Sequence, residues 1–98
     1  MTEQRRTVTV RIEGRVQGVF YRAWTEEKAR MLGLDGWVRN RRDGTVEVEV
    51  VGERDAVQAC IERLRRGPPG ADVARLEVEW VEAPAPPAAR RFEIRSTG

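Results

Sequence analysis

The residues best placed to do chemistry in this chain lie in the stretch GRVQGVFYR, positions 14 to 22. Two glycines there flank an apolar, aromatic run that ends on Arg22, just where helical spacing begins. A glycine-bearing turn from a strand into a helix points several successive backbone N–H groups into one concavity. The helix N-terminus adds its own unpaired N–H groups and partial positive charge. Such a nest suits an oxyanion, phosphate above all, and the planar fork of Arg22 reaches the same anion with two parallel hydrogen bonds. The loop is neither a Walker motif, since no Gly-Lys-Ser/Thr follows, nor G-x-G-x-x-G. Taken alone, it fits a plain glycine turn beside a surface arginine equally well.

The elements that must position this loop are legible from periodicity. TVTVRIE, 7–13, alternates Val8, Val10 and Ile12 against Thr7, Thr9, Arg11 and Glu13, the pattern of a half-buried strand. Residues 22–32 change to helical spacing, with Thr25, Ala29 and Leu32 on one face and Gly33 as a stop. GWVR, 36–39, is extended again. Asp43-Gly44 is a hairpin signal, and TVEVEVV, 45–51, alternates after it. A second helix covers 54–66, with Val57, Ile61 and Leu64 on its inner face beside Ala56 and Cys60, and Gly67-Pro68-Pro69-Gly70 ends it. Ala74, Leu76, Val78 and Trp80 mark a strand at about 73–82, APAPPAA at 83–89 is a stiff loop, and Phe92 and Ile94 mark a short closing strand.

The order is β-α-β-β-α-β plus that closing strand. One apolar face per strand calls for a mainly antiparallel sheet, with both helices on one side and the other side wet. Right-handed crossovers then give an α+β fold, the ferredoxin-like split βαβ sandwich. In that arrangement the strand after the first helix is expected to return parallel to the first strand and beside it. The glycine loop and Asn40, at the end of WVRN, then meet at the same edge of the sheet. Arg22 and Asn40, eighteen positions apart, can share one pocket. In isolation Asn40 reads as a turn-initiating residue.

Composition narrows the chemistry. The 98 residues are expected to form one domain, 1–98, with 35% charged residues and net charge +2. Seventeen of the eighteen basic residues are arginines, a bias that by itself supports no nucleic-acid reading. The absence of histidine excludes Ser-His-Asp triads, Cys-His pairs and the usual zinc sites. The single cysteine fits a reducing compartment. MTEQRRTV lacks the apolar core of a signal peptide, and no run reaches membrane-spanning length. A cytoplasmic protein without membrane contact is the expectation.

GRVQGVFYR, GLDGWVRN at 33–40 and DGTVEVEVVG at 43–52 together resemble the acylphosphatase family, over about Val8 to Arg95. The resemblance implies a ferredoxin-like enzyme that hydrolyses acyl phosphates to a carboxylate and inorganic phosphate, by direct water attack and with no cofactor or metal. It places phosphoryl binding on Arg22 and orientation of the attacking water on Asn40. The N–H groups of Arg15, Val16, Gln17, Gly18, Val19, Phe20 and Tyr21 fall to the phosphate oxygens. A small-molecule acyl phosphate is the expected partner, inorganic phosphate the product and competitive inhibitor, and a monomer the expected state. The alternative is a non-catalytic anion-binding regulatory domain of the same fold. Tyr21 stands where phenylalanine is commoner, and Val48 and Val51 replace the glycine and glutamine often found in the third strand.

An acyl phosphate's leaving group is a carboxylate that needs no general acid, so the missing histidines fit. An RNA-binding module on this fold carries aromatics on its central strands, whereas TVEVEVV is acidic outside and ring-free. Glu47 and Glu49, with Arg75, Glu77 and Glu79, read as a solvated cross-strand charge ladder. Cys60 reads as a small core residue and the three tryptophans as packing, Trp37 bracing the strand that presents Asn40. Arg39, Arg41 and Arg42 either draw in anions or merely make a basic hairpin.

Overall fold

In the computed structural model, which describes residues 5–82, 85–89 and 91–98, the alternating segments build one five-stranded sheet. The elements are β1 (Arg5–Arg15), α1 (Tyr21–Met31), β2 (Asp35–Asn40), β3 (Val46–Glu53), α2 (Arg54–Arg66), β4 (Asp72–Trp80) and β5 (Phe92–Ile94). Residues 1–4 of the expected N-terminal reading, and 83 and 84 of the expected stiff loop, lie outside the described residues. The strand order is β4-β1-β3-β2-β5, antiparallel throughout except for β2 with β5. No helix of the described residues is long and apolar enough to cross a membrane.

Burial follows the period-two pattern. Val8, Val10 and Ile12 of β1 stand opposite Val50, Val48 and Val46 of β3, and all six are fully buried. Each contributes about 1.5–3 kcal/mol relative to an exposed position. Tyr21, Thr25 and Ala29 from α1 cover this face together with Val57, Cys60, Ile61 and Leu64 from α2. The result is a ferredoxin-like sandwich with both helices on one side. Cys60 is a core residue as expected, its thiol pushed up to about 11 by burial.

One expectation is overturned. β2 does not lie beside β1; β3 stands between them. The Asp43-Gly44 hairpin returns the chain directly alongside β2, and the fully apolar face of β3 is best buried between two strands rather than at an edge. The parallel sense survives, because β1 and β2 are both antiparallel to β3. Their C-terminal ends therefore lie at the same end of the sheet, one strand apart.

The open face carries the charge ladder. Arg11 faces Glu47 on one side and Glu77 on the other, and Arg75 lies 3.0 Å from Glu77. Trp37 also sits on this face, between the guanidinium groups of Arg39 and Arg95 at 5.1 and 4.9 Å from its ring, so it is a cation–π stack rather than core packing. Trp24 and Trp80 do pack against the core. At the start of β2, buried Asp35 accepts hydrogen bonds from the Ala89 and Arg91 N–H groups at 2.9 and 2.7 Å and from Arg5 at 2.9 Å. Burial alone would raise its pKa, but these donors outweigh it and hold the carboxyl below its usual range.

Tyr21 answers a defect left by the break after α2. The helical partner of the Leu64 carbonyl would be the N–H of residue 68, but Pro68 has none. The buried Tyr21 hydroxyl donates to that carbonyl. Burial, with the Cys60 thiol adding to it, raises the Tyr21 pKa and keeps the hydroxyl a donor. Tyr21→Phe is therefore expected to lower unfolding free energy by about 1–3 kcal/mol, the cost of a buried unpaired carbonyl. An unchanged urea midpoint in that variant contradicts the assignment.

Candidate functional site

β1 ends in a bulge. Glu13 faces Arg75 and Gly14 faces Val73, so Ala74 is left over on β4. A Cβ at Gly14, where φ is +128°, would collide with the Asp72 carbonyl and the Ala74 nitrogen, so only glycine fits. The extra residue bends β4 and sharpens the local twist where β1 ends. Arg15 is still in β1, opposite Asp72, and the loop proper begins at Val16.

Within the loop Gly18 has φ +77° and Phe20 +60°. Left-handed residues spaced this way turn consecutive N–H groups toward one side. Phe20 carries this conformation without being glycine, at a cost of about 1–3 kcal/mol. Its ring is also 85% exposed. Among the described residues, no N–H from Val16 to Ala23 finds a protein acceptor; the first to do so is Trp24, bonded to Phe20 at 3.0 Å.

The start of α1 is similarly unbalanced. Phe20, its N-cap, supplies no side-chain cap, and the first turn holds no acidic residue. It holds Arg22 instead, a cation where the helix dipole disfavours one. Among the described residues Arg22 makes neither an ion pair nor a side-chain hydrogen bond. Open N–H groups and an unpaired guanidinium at one point make a strongly anion-seeking surface.

Asn40 is the last residue of β2, and its carbonyl accepts the Gly98 N–H at 3.1 Å. Its side chain has no hydrogen-bond partner among the described residues. Behind it the hairpin is braced: Asp43 accepts the Thr45 N–H at 3.0 Å and the Thr45 hydroxyl at 2.6 Å. Those bonds hold the exposed Asp43 carboxyl below its usual range. Glu47 takes Arg39 at 2.8 Å and Arg41 at 3.0 Å. Burial opposes its ionisation, but the two guanidinium groups prevail and keep its pKa low. Of the three hairpin arginines, Arg39 and Arg41 are thus committed to an internal carboxylate.

Arg22 and Asn40 line one cavity of about 350 Å³, together with Val16, Gly18, Phe20, Tyr21, Ala23 and Ile94. The expected pair is brought together, with four of the seven expected loop residues. Arg15, Gln17 and Val19 do not line it: Val19 packs on the core, and the Gln17 side chain reaches away to the hairpin. Ile94, expected only as part of the closing strand, was missed as a lining residue because it arrives through the pairing of β5 with β2, opposite Val38, which has no local signal. Chemically, the cavity offers a tetrahedral oxyanion a set of open N–H donors and a forked cation. A free carboxamide stands at its side. No group of three or more His, Cys, Asp or Glu side chains that could hold a metal occurs among the described residues.

The family model described as acylphosphatase matches residues 8–94. An acylphosphatase of Mesorhizobium japonicum is 56% identical over 82 residues, covering 84% of this chain and 87% of that protein. Among solved structures, an acylphosphatase from Coxiella burnetii superposes with a TM-score of 0.85 at 36% identity, covering 94% of each chain. Full-length HypF, in a phosphate- and nucleotide-bound form, matches with a TM-score of 0.84 at 27% identity, over 99% of this chain but only 13% of that one. Matched along nearly its whole length by sequence and by structure, this chain belongs to the acylphosphatase family.

Proposed function

We propose that the chain hydrolyses the carboxyl–phosphate anhydride of small acyl phosphates, in the cytoplasm, working as one monomeric domain. The observation that carries this reading is the single cavity lined by Arg22, Asn40 and the loop residues Val16, Gly18, Phe20 and Tyr21, whose N–H groups have no main-chain acceptor among the described residues. The family to which the chain belongs supports it.

The reaction needs little covalent help. Phosphoryl transfer of this kind rests on positioning and on stabilising charge at the non-bridging oxygens. The N–H groups of the loop and the fork of Arg22 grip those oxygens in a fixed geometry, with no reorganisation at the moment of reaction. Asn40 accepts a hydrogen bond from a water through its side-chain oxygen and holds a lone pair of that water toward phosphorus. The water oxygen bonds to phosphorus as the bond from phosphorus to the acyl oxygen breaks, and the carboxylate leaves with that electron pair. One water proton moves to a non-bridging oxygen, so the products are RCOO⁻ and H₂PO₄⁻. Phe20 and Ile94, both exposed on the same cavity, give the acyl group an apolar surface.

The test is turnover of benzoyl phosphate in EDTA. The expected result is metal-independent hydrolysis, competitively inhibited by inorganic phosphate, with benzoyl phosphate preferred over acetyl phosphate. The match to a small part of HypF keeps one other reading in view, a domain that binds an anion without turning it over. Phosphate binding without hydrolysis would establish that reading instead.

A further inference from the structure

We propose that Gln17 is a positioning residue, whose carboxamide sets the distance between the phosphate-gripping loop and Asn40; the proposal rests on the acylphosphatase reading above. The loop has an unusual constraint. Its N–H groups must stay unpaired if they are to bind an anion, so the backbone cannot anchor itself by them. Among the described residues, no main-chain N–H or carbonyl of Val16 to Val19 is hydrogen-bonded to another main-chain group. Among the described residues, the polar tether that remains is one side chain. Gln17 Nε2 donates to the Arg41 carbonyl at 2.8 Å and to the Thr45 carbonyl at 2.9 Å.

Those two acceptors frame the hairpin that begins one residue after Asn40. Each already accepts one main-chain bond: the Arg41 carbonyl from Gly44 at 3.1 Å, and the Thr45 carbonyl from Arg41 at 2.8 Å. Gln17 occupies the second lone pair of each, using both hydrogens of its amide. The hairpin is itself stiff, since Asp43 clamps Thr45 through two bonds. Gln17 therefore ties the loop that holds the phosphoryl group to the stiff hairpin that follows Asn40. An apolar side chain at this position would leave both carbonyls without that donor and let the pieces drift apart.

A displacement of about 1 Å between a reactant and its positioning group costs on the order of a hundredfold in rate. Gln17→Met keeps the length and removes the donors. Its kcat on benzoyl phosphate is expected to fall by about ten- to a hundredfold, with the inhibition constant of inorganic phosphate little changed, because the loop keeps its own grip. A merely structural role would lower thermal stability and leave kcat of the folded protein alone. The decisive readout is a double-mutant cycle with Asn40→Ala. If Gln17 acts through Asn40, then in the Asn40→Ala background Gln17→Met costs no more than about a further twofold. Three outcomes overturn the proposal: kcat unchanged in folded Gln17→Met, the same fold-loss in both backgrounds, or a large rise in the phosphate inhibition constant with kcat intact. Should circular dichroism show Gln17→Met unfolded, Gln17→Asn reads the same cycle, since its amide is retained but falls one methylene short. Failure of the cycle in a protein whose wild type turns over benzoyl phosphate would remove Gln17 and leave the proposed function standing.

Discussion

Arg22→Lys is expected to lose kcat/KM on acyl phosphates by at least about 10²–10³-fold, the scale seen when one preorganised donor to a developing oxyanion is removed. The charge is retained, so the loss isolates geometry. Guanidinium presents two parallel N–H groups to two oxygens of one phosphoryl group, whereas ammonium is a compact, strongly hydrated point charge that meets one. Arg22 has no ion-pair partner among the described residues, so the substitution removes no internal contact of that kind. Inorganic phosphate should bind more weakly in parallel, because in the proposed mechanism the same fork grips product and transition state. Steady-state kinetics with phosphate inhibition checks both effects, and near-normal values would take Arg22 out of the site.

Asn40→Ala is expected to divide the parameters differently. In the proposed mechanism its carboxamide touches the water rather than the phosphoryl group, so kcat should fall by about 10²–10³-fold through lost orientation. The phosphate inhibition constant should stay within about threefold, as for an interaction made only on the way to the transition state. The carbonyl bond to Gly98 is main-chain and survives the change. A matching loss of phosphate affinity in Asn40→Ala would mean that Asn40 binds the anion, and the division of labour between the two residues would have to be redrawn.

The parts of the fold that could be read in advance are those written in local periods. Val8-Val10-Ile12 and Val46-Val48-Val50 alternate because each strand has one dry face, and both dry faces are buried as expected. Helix α2 carries Val57, Ile61 and Leu64 inward for the same reason at a different period. Asp43-Gly44 announced its hairpin. The order of strands was less legible, because nothing within β2 says which strand will lie next to it. The insertion of β3 is decided by which apolar face is most costly to leave at an edge, a property of the assembled sheet.

At the site, Arg22 and Asn40 were legible through their motifs and the spacing between them. The partners of those motifs were not. Gln17 finds the Arg41 carbonyl 24 positions away, and Tyr21 finds the Leu64 carbonyl 43 positions away. In each case the acceptor is a main-chain oxygen, which every residue possesses, so side-chain identity at the receiving end gives no cue. Pro68 is the exception in hindsight: a proline four residues after Leu64 marks a carbonyl that needs another donor, and a hydroxyl on the ring of Tyr21 supplies it.

The central claim is that water held in the cavity attacks phosphorus, and the position of an isotopic label tests it most directly. Benzoyl phosphate hydrolysed in ¹⁸O-water, with the products analysed by mass spectrometry early in the reaction, should place one labelled oxygen in each inorganic phosphate and none in benzoate. Label in benzoate would mean that the carbonyl carbon is attacked instead, and a pocket built to hold a phosphoryl group in line with Asn40 would not be the reacting centre.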